Sequence, residues 1–202
     1  SIARRIFDDD AILIVDGGNT AVWCAFFWTI TRPNTTLGTP HMGHLGAGVG
    51  QALGAAEAHP GRQVVCITGD GAFGMHPQEI ETAVRNGYRI VFIVVADRQW
   101  GMVKMTQSVA VRPVKMMIKK SLDESETFNA DLREIDYAML ARSMGGHGER
   151  VSAPGDLAGA IERSLASETT AVIHVDVDPV KNMWAPGLLH FKKMHQEPGG
   201  EA

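Results

Sequence analysis

The stretch Val64-Val-Cys-Ile-Thr-Gly-Asp-Gly71 decides the fold class of this chain. Its apolar and β-branched residues predict a buried strand over 63–68, and Gly69-Asp70-Gly71 predicts a tight turn directly after it. Comparable apolar runs occur on either side of this stretch, at 12–15, 89–95 and 170–177. Because helical patterns separate these runs, we expect an α/β fold: a doubly wound parallel sheet with helices on both faces.

Helical patterns cover six segments of the chain, at 2–7, 20–30, 46–58, 77–86, 131–144 and 155–166. The segment 32–39 is predicted to be a loop, and 103–129 is predicted to be irregular. We expect one domain over 1–180 and a tail over 181–202, which suits a lid or a contact with another subunit. Because the first helix leads straight into a strand, the chain is predicted to begin at a domain boundary, as a small subunit or a piece of a longer protein.

The composition indicates a soluble, globular protein. The 202 residues suffice for one α/β domain, and 45% hydrophobic with 21% charged residues is typical of a packed core with a polar surface. The net charge of -4 gives no reason to expect nucleic acid or an acidic membrane surface as partner. We find no run of transmembrane length and no signal peptide, and we expect a cytoplasmic protein. Cys24 and Cys66 lie among apolar residues and are predicted to be buried small hydrophobic groups.

Three predicted strands end in polar or glycine-rich segments. These are Asp16-Gly-Gly-Asn-Thr20, Gly69-Asp-Gly-Ala-Phe73 and Ala96-Asp-Arg-Gln99. Ligands of open parallel sheets bind outside the carboxyl ends of the strands, near a switch in strand order. The three segments therefore predict one composite site.

Two aspartates give this site its expected chemistry. Asp70 and Asp97 follow neighbouring strands, and two adjacent carboxylates repel each other unless a proton or a cation lies between them. Mg²⁺ binds carboxylate oxygens and completes its shell with phosphate oxygens and water. Backbone N–H groups at the helix start after Gly17 suit phosphate oxygens. The alternatives are a plain turn at Asp70, an ion pair between Asp97 and Arg98, and simple helix capping by Asn19 or Thr20.

A specific resemblance joins these segments. Gly69-Asp70-Gly71, 24 residues and then Ala96-Asp97 resembles the thiamine diphosphate motif of the acetolactate synthase and 2-hydroxyacyl-CoA lyase superfamily, which is Gly-Asp-Gly, about two dozen residues and Asn-Asn. The resemblance covers about residues 8–178, a pyrophosphate-binding domain. Gly101-Met-Val103 is similar to acetolactate synthases, whereas Ala72-Phe-Gly74 and Glu79-Ile-Glu-Thr82 are similar to the CoA lyases.

The resemblance implies thiamine diphosphate and Mg²⁺ as cofactors and assigns roles to residues. Asp70 and Asp97 would bind the metal by their side chains, and Gln99 by its backbone carbonyl. Leu45 would wedge the cofactor into a bent shape, unless it is an ordinary core leucine, and the carbonyl of Gly43 would face the aminopyrimidine. The residues around the diphosphate would be Gly18, Asn19, Thr20, Gly69, Gly71, Ala72 and Phe73.

This chain departs from the family pattern at two places. Ala96-Asp97 stands where the family has Asn-Asn, so the second metal ligand carries an extra negative charge and the first amide is lost. We expect Asp97 to hold Mg²⁺ more strongly and to repel the diphosphate slightly. The aromatic residue that acetolactate synthases carry after Gly-Met-Val is absent, and the position reads Met105 or Thr106. This absence counts against acetolactate synthesis itself.

The resemblance implies that part of the active site lies on another domain. In this family a glutamate of a pyrimidine-binding domain drives formation of the reactive carbanion, and we find no such domain in the sequence. We therefore expect a partner domain or subunit, in a homo- or hetero-oligomer, and a small-molecule substrate such as a 2-oxo acid, a 2-hydroxyacyl compound or a CoA thioester. His41 and His44 are weak catalytic candidates that equally suit loop capping. A basic segment from Lys104 to Lys120 suits an anionic substrate or, preferably, a solvated loop.

Two other functions stay open at the level of the sequence. Ala96 in place of asparagine suits a non-catalytic subunit that keeps the fold for assembly or regulation. Gly46-Ala-Gly-Val-Gly50 suggests a dinucleotide-binding oxidoreductase, but no apolar strand leads into these glycines and the third one falls at Gly54.

Overall fold

A computed structural model describes residues 2–39 and 42–186 of the chain. Within them lies a six-stranded sheet with strand order β2-β1-β3-β4-β6-β5, and every neighbouring pair is parallel. The strands are β1 Ile12–Asp16, β2 Thr36–Leu37, β3 Val64–Gly69, β4 Ile90–Ala96, β5 His147–Val151 and β6 Ala171–Asp176. The predicted doubly wound α/β fold is confirmed.

Ten α-helices surround the sheet in the described part of the chain. They are α1 Ile2–Ile6, α2 Gly18–Phe27, α3 Ala47–Ala58, α4 Asp70–Phe73, α5 Glu79–Arg85, α6 Gly101–Val111, α7 Pro113–Lys119, α8 Tyr137–Ser143, α9 Leu157–Ala166 and α10 Pro179–Met183. None of the helices in the described residues is long and apolar enough to cross a membrane. Cys24 and Cys66 are free thiols. Cys66 is fully buried, as predicted, whereas Cys24 is only half-buried.

The alternation of side chains along the strands builds a core on each face of the sheet. Ile14 and Phe92 point to the face that α3, α5 and α8 cover. Leu13 and Ile93, one residue away on the same strands, point to the face that α1 and α9 cover. The central strands are apolar throughout because both faces are buried. A third, smaller cluster joins α2, α6, α7 and α10 beside the sheet through Val22, Met105, Met116 and Met183.

The strand order reverses between β1 and β3, which places the crevice of the fold at their carboxyl ends. From β1 the chain continues outward to β2 on one side, and it returns to β3 and β4 on the other side. Thr68 of β3 pairs with Asp16 of β1, and Gly69 pairs with Val95 of β4. The segments after β1, β3 and β4 therefore converge at one edge, as the predicted composite site requires.

Three parts of the predicted secondary structure are wrong. The segment 103–129 is largely helical, because it forms α6 and α7, which Pro113 separates. The helix predicted over 131–144 begins only at Tyr137, since Asp136 caps it and Leu132 bonds to Arg98. The short edge strands β2 and β5 were not expected, because neither carries an apolar run.

Candidate functional site

A cavity of about 1030 Å³ opens at the carboxyl ends of β1, β3 and β4. It brings together nearly all of the predicted site residues that the structure describes. The predicted residues that line it are Gly18, Asn19, Thr20, Gly43, His44, Leu45, Gly69, Asp70, Gly71, Ala72, Asp97 and Gln99. The three strand ends thus form one site, as predicted from their positions in the sequence.

Asp70 is the first residue of the one-turn helix α4. The tight turn predicted at Gly69-Asp70-Gly71 is therefore the start of a helix. Asp70 Oδ1 accepts a hydrogen bond from the Gly71 N–H (2.8 Å), and its Oδ2 accepts one from the Arg98 N–H (2.7 Å). The Tyr137 hydroxyl donates to the Asp70 carbonyl from below (3.1 Å). The carboxylate is 4% exposed and is fixed at both oxygens.

Asp97 lies just after β4, and its side chain does not pair with Arg98. The Arg98 guanidinium instead lies 3.6 Å from Glu134, which excludes the ion pair considered from the sequence. Asp97 Oδ2 accepts hydrogen bonds from Asn182 Nδ2 (2.8 Å) and, more weakly, from Gln99 Nε2 (3.4 Å). The carboxylate is 6% exposed, and neither of these partners carries a charge.

The two buried carboxylates leave the site short of positive charge. Burial, and next the charge of Asp97, raise the pKa of Asp70 to about 7. Burial likewise raises the pKa of Asp97 above its ordinary value. The described residues contain no group of three or more histidines, cysteines or acidic residues that is arranged to hold a metal. A magnesium ion here would therefore draw its remaining ligands from backbone carbonyls, water and a bound phosphate.

Gln99 lines the cavity, and its side chain joins two elements of the fold. Its Nε2 donates to the Pro179 carbonyl (2.9 Å) and so ties the end of β4 to α10. Its backbone forms an isolated bridge with Asp131, and the two hydrogen bonds of that bridge use backbone groups of Arg98 and Trp100. The Gln99 carbonyl takes no part in them.

Asn19 supplies the polar group opposite the aspartates. Both atoms of its amide are buried, and neither has a hydrogen-bond partner in the described chain. A Cβ on Gly101 would lie 2.6 Å from Asn19 Nδ2 and 3.2 Å from Asp97 Oδ2, so the glycine permits this close approach. Buried amides are almost always paired, and an orphan at a cavity wall fits a ligand with oxygen acceptors. The start of α2 provides N–H groups at the same place.

The other predicted residues differ in their exposure and in whether they line the cavity. Leu45 is half-buried on its wall rather than in the core, and His44 is exposed at its edge. Phe73 is fully buried, packs on Phe92 and Tyr137, and does not line the cavity, so any contact with the cofactor would fall to its backbone. His41 lies outside the described residues.

The basic segment is not a solvated loop at Lys104 and Lys115. Lys104 is buried and pairs with Asp131 (2.6 Å), and Lys115 pairs with Glu126 (2.5 Å). Both ammonium groups serve internal ion pairs, which weakens the idea that they meet an anionic substrate.

Sequence reasoning missed several residues of the site. Trp100 packs on Gly71, where a Cβ would lie 2.6 Å from the indole ring, and Met102 packs on Gly18. Asn182 lies in the segment taken as a tail, yet it contacts Asp97. Asp178-Pro179 is a helix-start signal that would have placed Asn182 in an ordered helix.

The glycines at the start of α3 do not form a dinucleotide site. Asp16 Oδ2 accepts a hydrogen bond from the Gly48 N–H (2.7 Å), and its carboxylate fills the space that a phosphate would need. A Cβ on Gly48 would lie 2.6 Å from the Asp16 Cβ. The glycine-rich segment at 46–50 therefore no longer supports the hypothesis of a dinucleotide-binding oxidoreductase.

Comparison with known proteins identifies the family. Residues 16–175 match the family model described as thiamine pyrophosphate enzyme, C-terminal TPP binding domain. A probable acetolactate synthase of Mycobacterium bovis is 34% identical over 175 residues, which are 86% of this chain and 30% of that protein. The large subunit of acetolactate synthase isozyme 2 of Escherichia coli is 30% identical over 87% of this chain and 30% of its own length.

A solved structure shows the same fold. The benzoylformate decarboxylase of Polynucleobacter necessarius superposes with a TM-score of 0.73 at 22% identity, over 88% of this chain and 32% of that one. The chain thus spans about a third of the length of these relatives. With its composite site at the carboxyl ends of β1, β3 and β4, the chain belongs to the thiamine pyrophosphate enzymes and corresponds to their C-terminal TPP binding domain.

Proposed function

We propose that this chain holds the diphosphate and metal of a thiamine diphosphate- and Mg²⁺-dependent lyase or carboligase that acts on 2-oxo acids or 2-hydroxyacyl compounds. One observation carries the proposal. Two buried carboxylates, on Asp70 and Asp97, line one cavity together with the unpartnered amide of Asn19. A magnesium diphosphate satisfies all three groups, because the cation neutralises the carboxylates and the phosphate oxygens accept from the amide.

The residues of the site divide into metal ligands and phosphate donors. Asp70 and Asp97 would hold Mg²⁺ through their side chains, and Gln99 through its carbonyl. Asn19, Thr20 and the N–H groups at the start of α2 would bind the diphosphate. Leu45 stands on the cavity wall, where it would support the bent shape of the cofactor.

Bound thiamine diphosphate would supply the carbon nucleophile and the electron sink for cleavage or formation of a carbon–carbon bond. The chain's own contribution is to bind and orient this group and to exclude water from it. Trp28, Ile30, Trp100 and Val103 give the cavity an apolar wall for this purpose. His44 is a weak candidate for proton transfer at the exposed edge, and His41 stays a prediction.

We infer a pyrimidine-binding domain or subunit as partner. The chain provides carboxylates that suit the metal, but no acidic side chain besides Asp16, Asp70 and Asp97 lines the cavity within the described residues. All three carboxylates are bound to backbone or amide donors. A group that hydrogen-bonds the aminopyrimidine would thus come from another surface. A cytoplasmic location and an oligomeric state likewise stay predictions.

The residues of the site indicate the cofactor more directly than they indicate the specific reaction. Met105, at the position where acetolactate synthases carry an aromatic residue, is buried in the cluster beside the sheet, and Thr106 lines the cavity. We therefore propose the broad class of reaction rather than acetolactate synthesis.

Titration calorimetry tests the proposal. The full chain is titrated with thiamine diphosphate in Mg²⁺, in EDTA, and with NAD⁺ as control, with and without a pyrimidine-binding domain. We expect saturable binding of thiamine diphosphate that needs Mg²⁺, and no binding of NAD⁺. Absence of metal-dependent binding with the partner domain present would refute the proposal. Binding without turnover of any 2-oxo acid would instead favour the non-catalytic subunit.

A further inference from the structure

The short helix α10 is fixed beside the metal ligand Asp97. Asp178 caps it by accepting from the N–H groups of Val180 (2.9 Å) and Lys181 (3.1 Å). At its other end Met183 is fully buried in the cluster beside the sheet. Between these anchors, the Trp23 indole N–H donates to the Asn182 carbonyl (2.8 Å). The backbone of Asn182 is therefore held independently of its side chain.

The side chain of Asn182 donates a hydrogen bond to only one of the two carboxylate oxygens of Asp97. Its Nδ2 donates to Oδ2 at 2.8 Å, and Gln99 Nε2 approaches the same oxygen at 3.4 Å. Both neighbours are amide donors, so they suit a carboxylate oxygen. An amide NH₂ at this point would face two further NH₂ groups. The surroundings of Oδ2 are thus complementary to aspartate at position 97, and neither of the two side-chain amides contacts Oδ1.

We propose that Asn182 is a positioning residue of the metal site: its amide holds Asp97 Oδ2, so that Asp97 offers Oδ1 alone to the metal. This inference rests on the proposed function, because it takes Asp97 as a metal ligand. Hydrogen bonds to ligating carboxylates fix their orientation and tune the metal, and their loss typically costs about 10- to 100-fold in affinity. α10, in the segment that looks like a tail in the sequence, thereby becomes part of the cofactor site.

An exchange of the two residues tests the contact. The variants are Asn182→Ala, Asn182→Asp, Asp97→Asn and the double variant Asp97→Asn with Asn182→Asp. In the double variant the new carboxylate accepts from the new amide, so the hydrogen bond is rebuilt with its direction reversed. Lys181→Ala, on the same helix with a side chain that is 86% exposed, is the matched control.

Two measurements are made on the full chain at pH 8. Calorimetry gives the Mg²⁺-dependent dissociation constant of thiamine diphosphate, and urea unfolding without metal gives the stability of the contact itself. We expect Asn182→Ala to weaken binding about 10-fold, or about 1.4 kcal/mol, and Asn182→Asp about 100-fold, because it adds a third carboxylate. The double variant should recover at least about 10-fold relative to Asn182→Asp. Lys181→Ala should match the wild type.

The outcomes separate this inference from the proposed function. If the wild type binds and the Asn182 variants bind equally well, the positioning role is refuted and the proposed function stands. A double variant that is no better than Asn182→Asp in both measurements also refutes it. If the wild type does not bind, even with a pyrimidine-binding domain, the proposed function fails, whereas the unfolding data still show whether positions 97 and 182 are coupled.

Discussion

The ends of β1 and β3 make the same local arrangement with different consequences. Asp16 and Asp70 are both buried aspartates whose Oδ1 accepts from the next residue's N–H and whose Oδ2 accepts from a distant backbone N–H. The distant donor is Gly48 for Asp16 and Arg98 for Asp70. Asp70 has a second carboxylate, Asp97, close enough to raise its pKa.

From this difference we infer that Asp16 has a structural role and that Asp70 suits a cation. Asp16 closes the start of α3, and a Cβ on Gly48 would collide with it, so protein fills the side of its carboxylate that faces α3. Asp70 and Asp97 have amide and N–H donors but no cation within the described residues. An identical hydrogen-bond pattern therefore does not distinguish the two aspartates, whereas the uncompensated pair of carboxylates supports the proposal that Asp70 and Asp97 bind the metal.

The largest expected effect separates the two aspartates by alanine substitution. Asp70→Ala should weaken Mg²⁺-dependent binding of thiamine diphosphate by about 1000-fold, or about 4 kcal/mol, because half of the side-chain ligands are lost. Its stability at pH 8 should stay near that of the wild type, since the loss of two hydrogen bonds is offset by removal of an uncompensated buried charge. Calorimetry and urea unfolding measure the two quantities.

Asp16→Ala is the matched control and should behave in the opposite way. It leaves the N–H groups of Gly17 and Gly48 without their acceptor, at a cost of about 1–3 kcal/mol for each buried group. We expect lower stability and a change in affinity below about 10-fold. Equal losses of affinity in the two variants would contradict the division into structural and metal-binding aspartates.

A smaller effect should appear in the pH dependence of the metal-free chain. The pKa of Asp70 is raised to about 7 from its ordinary value of 3.8, so the folded chain binds more protons than the unfolded chain between these values. The contribution of Asp70 to the free energy of unfolding should therefore be fully present below about pH 4 and be lost as pH rises through about 7. Between pH 5 and pH 8 the loss should be about 1–3 kcal/mol.

Urea unfolding at several pH values checks this dependence, with Asp70→Asn as reference. The difference between wild type and variant cancels other groups, such as His174, whose pKa is lowered by burial and which acts in the opposite direction. Saturating Mg²⁺ and thiamine diphosphate should flatten the difference, since the cation replaces the proton. A wild type that grows more stable than Asp70→Asn as pH rises would count against an uncompensated carboxylate at position 70.

The strands differ in how well they could be predicted from the sequence. The apolar runs of β1, β3, β4 and β6 were predicted because buried parallel strands are apolar on both faces. The polar edge strand β5 was missed because its place depends on pairing with β6 rather than on its own residues.

The site divides in a similar way. Asp70, Asp97 and Asn19 follow strands, so their convergence could be predicted from strand order. Asn182 reaches Asp97 from 85 residues away along the chain, and no local pattern encodes that contact. The conformation of α4 was also hidden, because Gly-Asp-Gly suits a turn and a helix start equally well.

The smallest expected effect concerns Asn19 and has opposite signs in its two measurements. Its amide is buried without a partner in the described chain, which costs about 1–3 kcal/mol in the ligand-free state. Asn19→Ala should therefore raise the stability of the free chain by about 1 kcal/mol. The same change should weaken binding of thiamine diphosphate about 10-fold and affect thiamine monophosphate less, because the lost donor faces the phosphates.

Asn182→Ala gives the contrast that decides the role of Asn19. Both residues are asparagines near Asp97, but Asn182 already has a partner at 2.8 Å, so its loss should lower the stability of the free chain. If Asn19→Ala lowers stability as well, its amide is satisfied within the protein and is not reserved for the ligand. If stability rises while affinity falls, the Asn19 amide has no partner in the free chain and gains one when the diphosphate binds. The end of β1 would then bind the same cofactor as the aspartates that follow β3 and β4.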